Sequence, residues 1–130
     1  MAKEFTLGKE ERLKSQKQTE LLFSEGEKFT ITPFRIYYTI VNPGKTSIQF
    51  GVGVSKKNFK KAVDRNRIKR LVREAYRLQK SGLKKKLTEQ QCELTIFYIY
   101  TGKELPGYKE VYEKVGKIID KLSVLIDERK

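Results

Sequence analysis

Asp64-Arg65-Asn66-Arg67-Ile68-Lys69-Arg70-Leu71-Val72-Arg73-Glu74-Ala75-Tyr76-Arg77 separates into two faces when read at helical spacing. Ile68, Leu71, Val72, Ala75 and Tyr76 recur at i, i+3, i+4, i+7 and i+8, an apolar stripe made to pack on a core. Asn66, Lys69, Arg70, Arg73 and Arg77 recur at i, i+3, i+4, i+7 and i+11 and fall on the opposite side. One face fits a protein interior; the other is a ladder of cations suited to a polyphosphate.

The segments around this helix set the fold class. Ser47–Ser55 alternates cleanly, with Ile48, Phe50, Val52 and Val54 on one face and Ser47, Gln49, Gly51, Gly53 and Ser55 on the other. Lys28–Asn42 reads as a strand, or as two, with Phe34, Ile36, Tyr38 and Ile40 opposed to Arg35, Tyr37 and Thr39. Asn42-Pro43-Gly44-Lys45 is a turn signal, which predicts a hairpin between these two strands. The basic helix is expected from Ala62 to Lys80, with a continuation into Lys84-Lys85-Lys86 allowed. Glu93–Thr101, rich in β-branched and aromatic residues, predicts a further strand joining across that helix.

A short helix is expected near Lys17–Ser24, ended by Gly26. After Pro106-Gly107, a last helix carries the stripe Val111, Tyr112, Val115, Ile118, Ile119, Leu122 and Leu125 or Ile126. The expectation is an α+β, two-layer sandwich: one mixed sheet of about four strands and three helices in the order αβββαβα. Residues 1–8 are expected to be loose and residues 9–130 to form one domain.

Composition bounds the partner. The chain has 130 residues, 35% of them charged, and a net charge of +13. Lys56 to Arg77 holds ten Lys or Arg against two acids, so about a sixth of the chain carries +8 of that charge. Charge concentrated in this way selects an anionic partner, nucleic acid first. A membrane surface is disfavoured because the apolar stripe of the basic helix is needed for the core. No apolar run approaches the roughly 20 residues of a membrane span. With the lone Cys92, and no hydrophobic signal segment at the N-terminus, this predicts a cytoplasmic protein.

The chain contains no His and one Cys, which excludes Cys/His zinc sites and His-based triads or bases. No catalytic residue and no protein metal site is expected. Asp64 reads as an N-terminal helix charge and Cys92 as a small buried residue.

Three constellations carry the binding chemistry. The cation ladder is the first; a merely solvated face is the plain alternative, but like charges at i and i+4 cost a helix a few tenths of a kcal/mol each, and a ligand repays that. The second is Phe50-Gly51-Val52-Gly53-Val54-Ser55-Lys56-Lys57-Asn58-Phe59-Lys60-Lys61. Its glycines leave backbone open to a ligand, and Lys56, Lys57, Lys60 and Lys61 sit at a strand-to-helix junction where phosphate is readily held. An edge strand with a basic loop is the alternative. The third is the sheet face with Arg35 and Tyr37 beside Gly51 and Gly53, and Phe23 nearby, a platform for unpaired bases.

The run Phe50–Lys57, followed by Ala62-Val63-Asp64-Arg65-Asn66-Arg67-Ile68-Lys69-Arg70-Leu71-Val72-Arg73-Glu74-Ala75-Tyr76, closely resembles the signature of the bacterial ribonuclease P protein subunit. Arg12-Leu13, Leu22-Phe23, Gly26 and Phe34-Arg35-Ile36-Tyr37 extend the likeness upstream, over roughly residues 9–126. Members of that family assist a catalytic RNA, which holds Mg²⁺ and cuts the 5′ leader from precursor tRNA. The resemblance therefore implies an endoribonuclease whose active site lies in the RNA, with that RNA and precursor tRNA as partners and no obligate protein partner. By position, Arg65, Asn66, Arg67, Lys69, Arg70 and Arg73 would face the catalytic RNA, extended by Arg77 and the loop lysines. Phe23 and Tyr37 would line a leader cleft between the sheet and the first helix, with Arg35 and Ser55 beside them. A left-handed βαβ crossover is implied too, against the usual rule. One position departs: many members carry an aromatic one helical turn before Phe23, where this chain has Thr19. Composition and charge alone suit a ribosomal protein or RNA chaperone equally well, and a sequence-specific DNA binder less, because the helix offers mainly phosphate contacts.

Overall fold

The computed structural model describes residues 16–41 and 47–128. In chain order the elements are α1 (Gln16–Glu25), β1 (Glu27–Ile31), β2 (Phe34–Val41), β3 (Ser47–Val54), α2 (Ala62–Gln79), α3 (Ser81–Gln90), β4 (Glu93–Tyr100) and α4 (Tyr108–Glu128). The α+β class and the mixed four-stranded sheet are as expected, and the long first strand is indeed two. The expected loose segment 1–8 and the Asn42–Lys45 turn lie outside the described residues.

Two details differ from the sequence reading. The strand order is β1-β2-β4-β3, with β4 antiparallel to β2 and parallel to β3. The predicted hairpin between β2 and β3 is therefore wrong: β4 lies between them, and the antiparallel neighbours in sequence are β1 and β2. The reason is the composition of β4. Leu94, Ile96, Tyr98 and Tyr100 are buried on one face, and Phe97 and Ile99 are half-buried on the other. A strand apolar on both faces belongs in the middle of a sheet. β3, with Gly51 and Gly53 on its second face, tolerates the edge.

The second difference is a fourth helix. α2 stops at Gln79 and α3 starts at Ser81, with the buried Lys80 at the junction. An unbroken helix over 62–90 would run roughly 43 Å, against roughly 26 Å for an eight-residue strand. The break at Lys80, where the weaker helix formers Ser81 and Gly82 follow, lets Leu83 and Leu87 turn into the core. α3 is fixed at its far end to α4, where Lys86 and Gln90 bond the two carboxylate oxygens of Asp127 at 2.7 and 3.0 Å.

The core lies between one sheet face and α2, α3 and α4. Ile68, Val72, Ala75 and Tyr76 of α2 meet Val111, Val115, Ile118, Ile119, Leu122 and Ile126 of α4 over Phe34, Ile36, Ile40, Phe50 and Tyr98. Phe50 and Tyr76 stack with centroids 4.2 Å apart and planes 7° from parallel. This contact fastens the basic helix to the strand that precedes it and adds about 1 kcal/mol beyond area burial. Gly116 permits the close approach of α4 to α2: a Cβ there would meet Gln79 Oε1 at 2.7 Å. Cys92 is fully buried, as expected.

Candidate nucleic-acid interface

Burial of one stripe of α2 turns the other outward. Asn66, Arg67, Arg70 and Arg73 are exposed, whereas Lys69 and Arg77 are half-buried. Arg77 pairs with Glu74 one turn back, so part of its charge is spent within the helix. Arg65 has a different task. Its Nη1 donates to the carbonyls of Phe59 and Lys60, both at 2.8 Å, and so ties the start of the helix to the loop before it.

That loop is built rather than slack. The Ser55 hydroxyl accepts from the Lys57 amide at 3.1 Å, and the Phe59 amide donates to the Ser55 carbonyl at 3.0 Å. Phe59 is buried against Tyr100, and Asn58 donates to the carbonyls of Thr101 and Gly102, both at 3.4 Å. These anchors leave Lys56, Lys57, Lys60 and Lys61 exposed together at the entrance to α2.

The sheet face away from the core is the second surface. Strand register lines up Lys28, Tyr37, Phe97 and Gly51 in one row across β1, β2, β4 and β3, and Thr30, Arg35, Ile99 and Gly53 in the next. α1 lies over this face, since Phe23 packs against Tyr37 at 4.8 Å and edge-on to Phe97 at 5.2 Å. The cluster is only partly covered, with Phe23 still 42% exposed. Leu22 of the same helix is buried, beside Thr39, Gln49 and Thr95.

Phe97 is the residue the sequence reading missed. Arg35 and Tyr37 were expected beside the β3 glycines, but β4 intervenes and places Phe97 and Ile99 there. Gly53 makes room for that ring: a Cβ on it would meet Phe97 Cε1 at 3.0 Å and Cζ at 3.2 Å. Its role is to admit an aromatic side chain, where an open backbone was expected. The signal was present in the alternation of β4, which puts Phe97 opposite the core-facing Ile96 and Tyr98. Lys28 and Thr30, exposed at the β1 edge, were not singled out either.

The two surfaces are continuous. The cleft passes from Phe23, Tyr37 and Phe97 past Arg35 and Gly53 to Ser55, where β3 ends and the lysine loop begins. Thr19 is helical in α1, but its side chain lies outside the described residues. Among the described residues no cluster of three or more His, Cys, Asp or Glu could hold a metal ion, and no helix is long and apolar enough to cross a membrane.

An aromatic cleft leading into a cationic loop and helix defines a protein shaped to lie along a polyanion with exposed bases. The sequence model of the Ribonuclease P family matches residues 7–123. Ribonuclease P protein components from Porphyromonas gingivalis and Dictyoglomus turgidum are similar to this chain. The first is 38% identical over 120 residues, covering 92% of this chain and 88% of the relative. The second is 33% identical over 119 residues, covering 90% and 92%. The fold is shared with the RNase P protein of Staphylococcus aureus, at a TM-score of 0.63 and 19% identity over 87% of this chain and 94% of that one. It is shared also with that of Thermotoga maritima, at 0.60 and 23% over 85% and 96%. The chain belongs to the ribonuclease P protein component family, and so is part of an endoribonuclease ribonucleoprotein.

Proposed function

We propose that this chain binds the catalytic RNA of ribonuclease P through α2 and its lysine loop, and the 5′ leader of precursor tRNA through the aromatic cleft. The continuity of the two surfaces at Ser55–Lys61 carries this reading. RNA held on the exposed cations Arg67, Arg70 and Arg73 would lie beside a leader entering between α1 and the sheet. Unpaired leader bases would stack on Phe23, Tyr37 and Phe97, with Arg35 and Lys28 near their phosphates.

The chain contributes position and charge rather than bond chemistry. Two polyanions, the catalytic RNA and its substrate, repel each other, and cations between them reduce that repulsion. In this reading the Mg²⁺ that the reaction needs is held by the RNA subunit, and this chain lowers the phosphate repulsion around it. A protein that meets precursor tRNA as it is transcribed would work in the cytoplasm, which is the compartment this reading takes.

Sequencing the RNA that copurifies with the tagged full chain tests the assignment. One abundant structured RNA together with tRNA precursors is the expected result. Recovery of ribosomal RNA alone would favour a ribosomal or chaperone role instead.

A further inference from the structure

We propose that Tyr108 and Tyr112, at the start of α4, form a stacking platform for an unpaired nucleotide of the catalytic RNA, extending the phosphate-binding face of α2. The proposal rests on the RNA-binding reading of α2 given above. The two tyrosines are one turn apart, 39% and 40% exposed, with ring centroids 5.8 Å from each other. Paired, partly exposed aromatics on a helix otherwise well buried along its stripe are not needed by the core.

Their position follows from the packing of α4 on α2. The carbonyl of Tyr112 accepts from Gln79 Nε2 at 2.9 Å, and Gln79 also lies against Gly116, one turn on. Tyr108, Tyr112 and Gly116 thus run along the flank of α4 that borders the last turns of α2. The Tyr108 hydroxyl registers that border: burial and the carboxylate of Glu74 raise its pKa, while the Arg77 guanidinium lowers it. Of the acids near this flank, Glu74 is paired with Arg77 and Glu113 with Lys117 at 3.8 Å, while Glu110 lies two residues from each tyrosine, round the helix toward Tyr100. An aromatic face beside Arg77, at the end of the cationic face of α2, fits a nucleotide whose base stacks while its phosphate reaches toward the cations of α2.

The test measures binding of the full chain to its cognate catalytic RNA, transcribed in vitro, over a range of salt. Compared with wild type are the double variant Tyr108→Leu/Tyr112→Leu, the ring-retaining Tyr108→Phe/Tyr112→Phe, and the single Tyr112→Leu, each checked for an unchanged melting transition. Stacking predicts that the Leu double variant loses affinity by about fivefold or more, with an unchanged salt slope, and that the Phe variant binds like wild type. The single variant falls between, so the result stands even if the double variant folds poorly. Wild-type affinity in every variant would overturn the platform while leaving the α2 interface intact. Loss in the Phe variant equal to that in the Leu variant would also overturn it, since hydroxyls rather than rings would then be responsible. If wild type itself did not bind the RNA, the functional assignment and the platform would fail together.

Discussion

Tyr98 carries a cost at the centre of the core. It is fully buried, and its hydroxyl has no hydrogen-bond partner among the described residues. An unsatisfied buried hydroxyl is destabilising, so Tyr98→Phe should be neutral or stabilising by up to about 1 kcal/mol in urea unfolding. Burial also raises the Tyr98 pKa above its ordinary value of 10.0. A raised folded-state value means that its ionisation adds no pH-dependent cost below about pH 10, where folded and unfolded chains are both protonated. Above that pH the unfolded chain ionises first and stability falls. The phenylalanine variant should therefore lose less stability than wild type between pH 10 and 11 (roughly, from the reference value). Gly53 makes the complementary prediction at the cleft. Gly53→Val must displace the Phe97 ring, and should weaken binding of leader-bearing precursor tRNA more than binding of mature tRNA. Equal weakening of both would detach Phe97 from leader recognition. Tyr98 was readable as a core residue from its alternation, but its missing partner was not, because that depends on how three helices close over the sheet.

Elements with one strong period were legible and their neighbours in space were not. α2, β3 and α4 follow their stripes closely, since periodicity reports which face is buried, with the exception of Tyr112, which was expected on the α4 stripe and is 40% exposed. The pairing of β2 with β3 was misread because a turn signal such as Asn42-Pro43-Gly44 is local, whereas pairing is decided by which strand is apolar on both faces. The basic helix was ended near Lys80 with a continuation allowed, and α3 was not recognised as a separate helix, because Leu83 and Leu87 continue an apolar pattern and only the length of the sheet requires a break. On α2 itself, the roles of cations divide by what they touch. Arg70 and Arg73 are exposed; Arg70→Ala or Arg73→Ala should lower RNA affinity and reduce the salt slope by about one each if each meets one phosphate. An unchanged slope would remove that residue from the interface. Arg65 differs, because its guanidinium is already bound to the loop carbonyls. Its loss should loosen the loop as well as remove a charge.

At the scale of the whole molecule, +8 of the +13 net charge falls between Lys56 and Arg77, and the fold delivers it to one continuous surface that opens into the aromatic cleft. Charge identified the class of partner, the Arg-Asn-Arg register identified the family, and the strand order supplied what neither could, the ring of Phe97 between Tyr37 and Gly51. In the proposed reading, a chain without histidine contributes cations and stacking surfaces to a reaction whose chemistry lies in its RNA partner. The most direct measurement is leader removal from precursor tRNA at low Mg²⁺, with protein alone, catalytic RNA alone, and both together. The account predicts no cleavage by protein alone, little by RNA alone, and efficient removal by the mixture. A mixture that cleaves no better than RNA alone would contradict it.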